Sequence, residues 1–562
     1  FIGKNNPYKS ALRLLRTDKY STSKHIVECE GKNKGYVFNY KQNIPKNCPL
    51  TFNFARIKII GINFMKHNTP SQPNRGWILA ALMVTMALAA MDSTIVATAI
   101  PQIVGDLGGF SLFSWLFSIY LLIQTITIPI YGKLADIYGR KPILIFGIIV
   151  FLLGSATCAG AWNMVSLIGF RGLQAIGAGA IMATVNTIAA DIYTLEERAK
   201  IQGYLSSVWG VSAILGPTIG GAFADYASWR WIFLINIPVG IGAIIMISMF
   251  LQENKPIKHA KIDWLGALAL LVTGAFIMFG LMQGGQSWDW ISFETLVFAV
   301  ISVFLIIATM KIEARAESPI LPRWVWRKRV LVGANLATIG MGCLTMGPSM
   351  FLPVFAQSVI GVGAITAGFI LASMSITWPL SSALSGKLYL RIGFRNTALC
   401  GISIVIITII AFLFIPYPGS VATLVALQLF MGAGFGLIST PLMVGVQSTV
   451  DWGQRGVVTG TSMFSRYFGQ SLGAAIFAAV FNSVLLDKLT EAPANLQKAL
   501  PKVNEVVEIL QSSHHDPTVQ TYLQHAFFDS THTVYIGLVI VGLLTLIVLL
   551  LTPQHFAKID KF

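Results

Sequence analysis

GKLADIYGRK, residues 132–141, is a charged decapeptide between two long apolar runs, and GKLYLRIGFR, residues 386–395, is a worn copy of it. Gly132, Lys133 and Leu134 recur as Gly386, Lys387 and Leu388, and Gly139 recurs as Gly393 at the same interval. A charged, glycine-bounded loop repeated once in each half of an apolar chain implies two related membrane halves, a pattern that narrows function to movement across a bilayer.

Composition agrees. The chain has 562 residues, 54% hydrophobic and 11% charged, where a soluble protein carries about 25% charged residues. Its apolar runs reach the roughly 20 residues that cross a bilayer, and such runs must be helical because lipid offers the backbone no partners. The net charge of +16 is concentrated before residue 77, where 14 basic residues face 3 acidic ones. Most of the remaining excess sits in short loops, so it reads as topology rather than nucleic-acid binding. Cys29, Cys48, Cys158, Cys343 and Cys400 have no disulfide-framework or zinc spacing, and neither metal nor cofactor is expected. Residues 1–64 start at Phe1, hold no methionine and lack a signal-peptide pattern, so they read as a non-native or disordered leader before Met65.

Spans are expected near 77–98, 113–133, 142–160, 164–189, 203–223, 231–251, 263–283, 293–310, 331–356, 363–386, 397–416, 420–443, 457–484 and 532–552, fourteen in all. With both termini inside, the inner loops and tail hold 20 Lys and Arg and the outer loops 4, as the positive-inside rule requires. The expected fold is an all-α membrane protein. Residues 65–255 form one six-helix bundle and 326–562 a pseudo-symmetric second one, with an inserted pair and linker at 256–325. An outside loop spans 485–531, and residues 494–510 within it have the spacing of an amphipathic cap.

Four further stretches carry chemistry. In the decapeptide, Gly132 and Gly139 permit close approach and turning. Asp136 can pair with Arg140 one helical turn on, while Lys133, Arg140 and Lys141 anchor the inner side. MDSTIVATAIP, 91–101, places Asp92 in an apolar helix, at a cost of about 3 kcal/mol that marks a functional position. It is a candidate proton carrier, or else a structural acid bonded to a neighbouring helix. RGLQAIGAG, 171–179, places Arg171 and Gln174 in a span, with Gly177 and Gly179 for close packing. Arg171 either tunes Asp92 or bonds backbone carbonyls. GVSAILGPTIGG, 210–221, combines a kink at Gly216-Pro217 with a flat face of Gly210, Gly220 and Gly221. Arg466, in SRYFGQSLG at 465–473, is expected near the inner end of its span, where its charge can snorkel. Tyr120, Gln174, Trp209, Phe351, Phe355, Trp378 and Phe468 are candidates to line a central cavity, or to pack. The aromatics among them suit flat lipophilic cations. No P-loop, nucleophile elbow or zinc-protease signature is present, which argues against direct ATP use and against an enzyme.

The decapeptide resembles the loop 2–3 signature of the major facilitator superfamily. Residues 91–101 resemble the span 1 signature of its fourteen-span drug:proton antiporters (the QacA/EmrB type), and the resemblance covers residues 77–552. It implies that Asp136 sits at the positive end of a helix from the other half, near Gly456, and latches the cytoplasmic side. The second copy has Leu390 in that place and cannot make this latch. It implies a role for Arg171 in proton transfer. It also identifies 210–221 with a motif reported in exporters. The implied function is proton-coupled efflux of small lipophilic, often cationic drugs across a bacterial cytoplasmic membrane. The alternative is a dedicated exporter of one metabolite or antibiotic. Implied partners are the lipid bilayer, protons and small amphipathic substrates, without nucleic acid. The resemblance leaves an outer-envelope adaptor open.

Overall fold

The computed structural model describes residues 25–27, 36–38, 74–108, 115–253, 263–283, 292–317, 322–493 and 517–554, with a few isolated positions besides. Within the helices, the side chains of some residues, Pro217 and Gly221 among them, lie outside that description. The chain divides into two units, residues 1–68 and 69–562. In the first, β1 (His25–Val27) pairs antiparallel with β2 (Tyr36–Phe38), Ile26 opposite Val37. The leader expected at 1–64 otherwise lies outside the described residues.

The second unit is helical. Its first half runs α1 (Arg75–Thr98), α2 (Ile100–Leu107), α3 (Trp115–Tyr138), α4 (Arg140–Ala159), α5 (Met164–Ile192), α6 (Leu195–Tyr226), α7 (Trp231–Leu234) and α8 (Asn236–Phe250). An added pair follows, α9 (Trp264–Gln283) and α10 (Phe293–Arg315), then the short α11 (Arg323–Arg327). The second half runs α12 (Arg329–Phe355), α13 (Ala364–Ile392), α14 (Phe394–Leu413), α15 (Val421–Ser448), α16 (Arg455–Thr490) and α17 (Pro517–Leu551). Thirteen helices among the described residues are long and apolar enough to cross a membrane. The expected fifth span coincides with α6, which is 32 residues long but is not one of the thirteen.

The ends of these helices follow from local chemistry. Asn163 and Ser166 form a capping box at the start of α5, and Thr194 and Glu197 form one at the start of α6. Gly139 and Gly393 hold φ of 100° and 87° between α3 and α4 and between α13 and α14. Left-handed turns of this kind strain any residue with a Cβ, which accounts for the glycine kept at one interval in both copies of the loop.

Packing repeats between the halves. α4 lies on α5 as α14 lies on α15, and α3 meets α5 as α13 meets α15. Likewise α1 packs against α6 and α8 as α12 packs against α16 and α17. Each half has its own buried core, one around Phe151, Ile181 and Ala243, the other around Phe355, Phe435 and Phe477. Two seams join them, α3 against α16 and α6 against α13. The added pair touches this frame through α9, whose Met278 packs with Leu122 and Ile126 of α3; α9 also reaches α16.

One boundary differs from the sequence reading. The loop expected at 485–531 is shorter, because α16 continues to Thr490 and α17 begins at Pro517. The extensions are held by apolar contact: Leu485, Leu489, Leu523 and Phe527 are buried together. The amphipathic cap expected at 494–510 falls mostly outside the described residues.

Candidate functional site

Three structures in the bundle can bear chemistry. The first is a buried ion pair inside the first half. Arg171 Nη1 donates to Asp92 Oδ2, and both side chains are essentially without solvent exposure. Gln174 Nε2 donates to Asp92 Oδ1 at 2.8 Å and Asn236 Nδ2 does so at 3.5 Å. Arg171 also donates to Gln174 Oε1 at 2.7 Å, and its guanidinium lies 4.2 Å from the centre of the Tyr120 ring. Ser155 accepts from Gln174 and from Asn236 and donates to the Phe233 carbonyl. Helices α1, α4, α5 and α8 are thus tied by one polar network. The close crossing that permits it comes from glycine: a Cβ at Gly154 would meet Gln174, at Gly177 it would meet Phe151 of α4, and at Gly179 Thr127 of α3.

The second structure closes the end of the bundle that carries the decapeptide, called here the loop end. Asp136 Oδ1 accepts from the Gly456 amide at 3.0 Å and Oδ2 from the Val457 amide at 2.9 Å. These are free N–H groups of the first turn of α16, where the helix dipole favours an anion. Arg140 Nη2 donates to Asp136 Oδ1 at 2.7 Å and to the Trp452 carbonyl at 2.6 Å, while its guanidinium lies 3.5 Å over the Trp452 ring. Arg140 Nε is 2.9 Å from Asp191 Oδ2, and Asp191 Oδ1 accepts from Arg455 at 2.8 Å. Gly132 and Gly456 face each other so closely that a Cβ on either would strike the other's carbonyl oxygen.

Glu253 adds a fixture that sequence reasoning missed. It accepts from the backbone amides of Arg140 and Lys141 at 2.9 and 3.0 Å, capping the start of α4. Lys141 Nζ in return donates to the Ser248 and Leu251 carbonyls at 2.9 and 2.7 Å, capping the end of α8. At the worn copy Leu390 is exposed, and the crossing is made by Tyr389, whose hydroxyl donates to the Leu195 carbonyl at 2.7 Å. Gly386 there lies against Ala199. At the opposite end Asp106 accepts from Arg230 at 2.7 Å and from Trp229 at 3.0 Å. These two bonds hold its carboxyl below the usual carboxylate range.

The third structure is a central cavity of about 240 Å³ between the halves. Its walls come from both halves and include Thr94, Gln202, Trp209, Gly210, Ser349, Trp378, Ser462, Arg466 and Gln470. Gly210 lets α6 approach Ser375 of α13, and Gly216 lets it approach Thr94 of α1. Gly220 is buried in the same helix, while the surroundings of Pro217 and Gly221 lie outside the described residues. Of the seven cavity candidates, Trp209 and Trp378 line the cavity.

The other five lie elsewhere among the described residues. Tyr120 and Gln174 belong to the Asp92 network. Phe351 stacks on Phe481, and Phe355 packs against Phe412 and Phe528 inside the second half. Phe468 packs beside Met278 of the added pair. Arg466 lies on the cavity wall, not at a helix end. The described lining holds Arg466 and no Asp or Glu. The signal for this wall was present as polar side chains at helical spacing, Ser462, Arg466 and Gln470 on α16, and Thr338, Thr345 and Ser349 on α12.

The family model described as Major Facilitator Superfamily matches residues 82–474. Multidrug resistance protein 3 of Bacillus subtilis (strain 168) is 35% identical over 429 residues, covering 76% of this chain and 84% of that protein. Multidrug transporter protein MdtP of the same organism is 32% identical over 511 residues, covering 86% of this chain and 94% of that protein. Among solved structures, the human organic anion transporter MFSD10 (TETRAN) aligns with a TM-score of 0.58 at 15% identity, over 85% of this chain and 99% of that one. A bacterial homologue of the iron transporter ferroportin, in its outward-facing state, aligns with a TM-score of 0.53 at 11% identity, over 82% of this chain and 98% of that one.

Proposed function

Since the chain belongs to the major facilitator superfamily, we propose that it is a proton-coupled exporter of small amphipathic compounds across the cytoplasmic membrane. Counting α6 as a span gives fourteen, with both termini and the loop end cytoplasmic. Residues 65–255 and 326–562 are the moving halves, and 256–325 is the insertion. The observation that carries the proton reading is the Asp92 carboxylate, wholly buried and paired with Arg171. Severing such a pair is costly, about 3–5 kcal/mol, so protonation of Asp92 changes how α1 is held against α5 and α8.

Asp92 is not a wall of the cavity, so coupling is indirect. Thr94, half a turn further along α1, does line the cavity and donates to the Ser212 carbonyl of α6 at 3.0 Å. A shift of α1 therefore reaches α6, and through Gly210 the seam with α13. Protonation favours one arrangement of this seam and deprotonation the other. The Asp136 latch holds the cytoplasmic side closed in one of them. Export as the direction rests on the resemblance of 210–221 to the antiporter motif and on the printed names of the relatives.

The test is Asp92→Asn in proteoliposomes holding the full chain. Proton-gradient-driven flux should vanish, while gradient-independent substrate exchange persists and reports an intact fold. Undiminished gradient-driven flux in the variant overturns the proton role.

A further inference from the structure

Arg466 lines the cavity with no hydrogen bond or ion pair among the described residues, and its Nε is buried without a partner. Its guanidinium lies 5.2 Å over the Trp378 ring. The described lining contains no carboxylate to neutralise it. The nearest acid along α1, Asp92, is committed to Arg171, Gln174 and Asn236. A cation placed in this cavity would meet an unpaired like charge, which is costly. An anion there would satisfy an arginine whose planar fork matches a carboxylate.

The remaining polar groups sharpen the class. Ser349 and Thr345 donate to carbonyls of their own helix, at 2.7 Å each, and Trp378 Nε1 donates to Ser439 at 3.1 Å. Gln202 is bonded to Asn186 at 3.2 Å. The charged donor left facing the cavity is the guanidinium of Arg466, with the amide of Gln470 one turn on along α16 and the hydroxyls of Ser206, Ser375, Ser439, Thr440 and Ser462 as further polar groups of the wall. The indoles of Trp209 and Trp378 and the side chains of Met341 and Met374 supply apolar surface around them. We infer that this cavity takes a small, flat compound bearing one anionic group, an aromatic carboxylate or its equivalent, with Arg466 as the counter-charge and Gln470 as a second donor. The inference rests on the transport reading only in taking the cavity as the substrate path.

The test uses three matched probes, 2-naphthoate, its methyl ester and 2-naphthylmethylammonium. Binding to the detergent-purified full chain is followed by tryptophan quenching, with no ion gradient. The carboxylate should bind at least tenfold tighter than the ester and the ammonium. Arg466→Gln should lower carboxylate affinity at least tenfold, to the level of the ester, while ester binding is retained and reports an intact site. Arg466→Lys should recover part of the loss. Ammonium binding as tight as carboxylate binding in the unmodified protein overturns the inference, as does no carboxylate binding at all or an undiminished preference in Arg466→Gln. Because no gradient is applied, failure of proton coupling in Asp92→Asn leaves this result unaffected, and the two readings fail separately.

Discussion

Asp136 receives three hydrogen bonds, two from amides of the opposite half and one from Arg140. Asn at this position keeps the shape and one acceptor but loses the charge that those donors address. Hydrogen bonds to a charged group are worth about 1.5–3 kcal/mol each, so Asp136→Asn should weaken loop-end closure by about 2 kcal/mol. Spin labels at Tyr138 and Asp451 should report a broadened, longer distance distribution. An unchanged distribution would show that Arg140 and Asp191 hold the end closed without Asp136. At this scale the sequence was informative about the chemistry of single residues. The partner of Asp136 near Gly456 was an expectation of the resemblance. The partners of Asp191 and Glu253 were not legible, because acids at or just past the end of a helix carry no periodic signal and find their partners only through tertiary packing.

At the scale of helices, α4 and α8 are fastened by exchange of caps. Glu253 covers the free amides that begin α4, and Lys141 covers the free carbonyls that end α8. Each charge complements the dipole end it faces, an effect worth about 0.3–1 kcal/mol. Glu253→Gln should lower thermal stability by about 0.5–1 kcal/mol without altering the substrate profile. Calorimetry in detergent checks it, and an unchanged melting profile refutes it. Helix positions were read well from hydropathy, but the rotation of each helix was not. In a membrane bundle the lipid face and the core face are both apolar, so the contrast that orients a soluble helix is flattened. On α12, Ser349 lies on the cavity and Phe351 does not, because two residues on is about 200° round the helix. The aromatic residues drew attention, while the small polar residues marked the wall.

For the molecule as a whole, under the proposed proton-coupled export, the charge of the substrate decides what drives it. One proton exchanged for one monovalent cation moves no net charge. One proton entering for each aromatic monocarboxylate leaving carries two charges inward, so the membrane potential contributes about 4.6 kcal/mol per 100 mV. In proteoliposomes clamped at zero pH gradient, a potential should drive export of 2-naphthoate most strongly and its methyl ester less. Potential-independent export of the carboxylate would rule out this stoichiometry. The repeated halves that make such alternation possible were legible from GKLADIYGRK and its copy. The cavity between them was not, since it is defined by which faces meet and not by any one segment.

The added helix pair breaks the symmetry of the bundle in a way the lipid will register. α9 lies over the seam between α3 and α16, whereas no described helix beyond the two bundles covers the seam between α6 and α13. A solute dissolved in the bilayer thus meets a shuttered flank and a bare one.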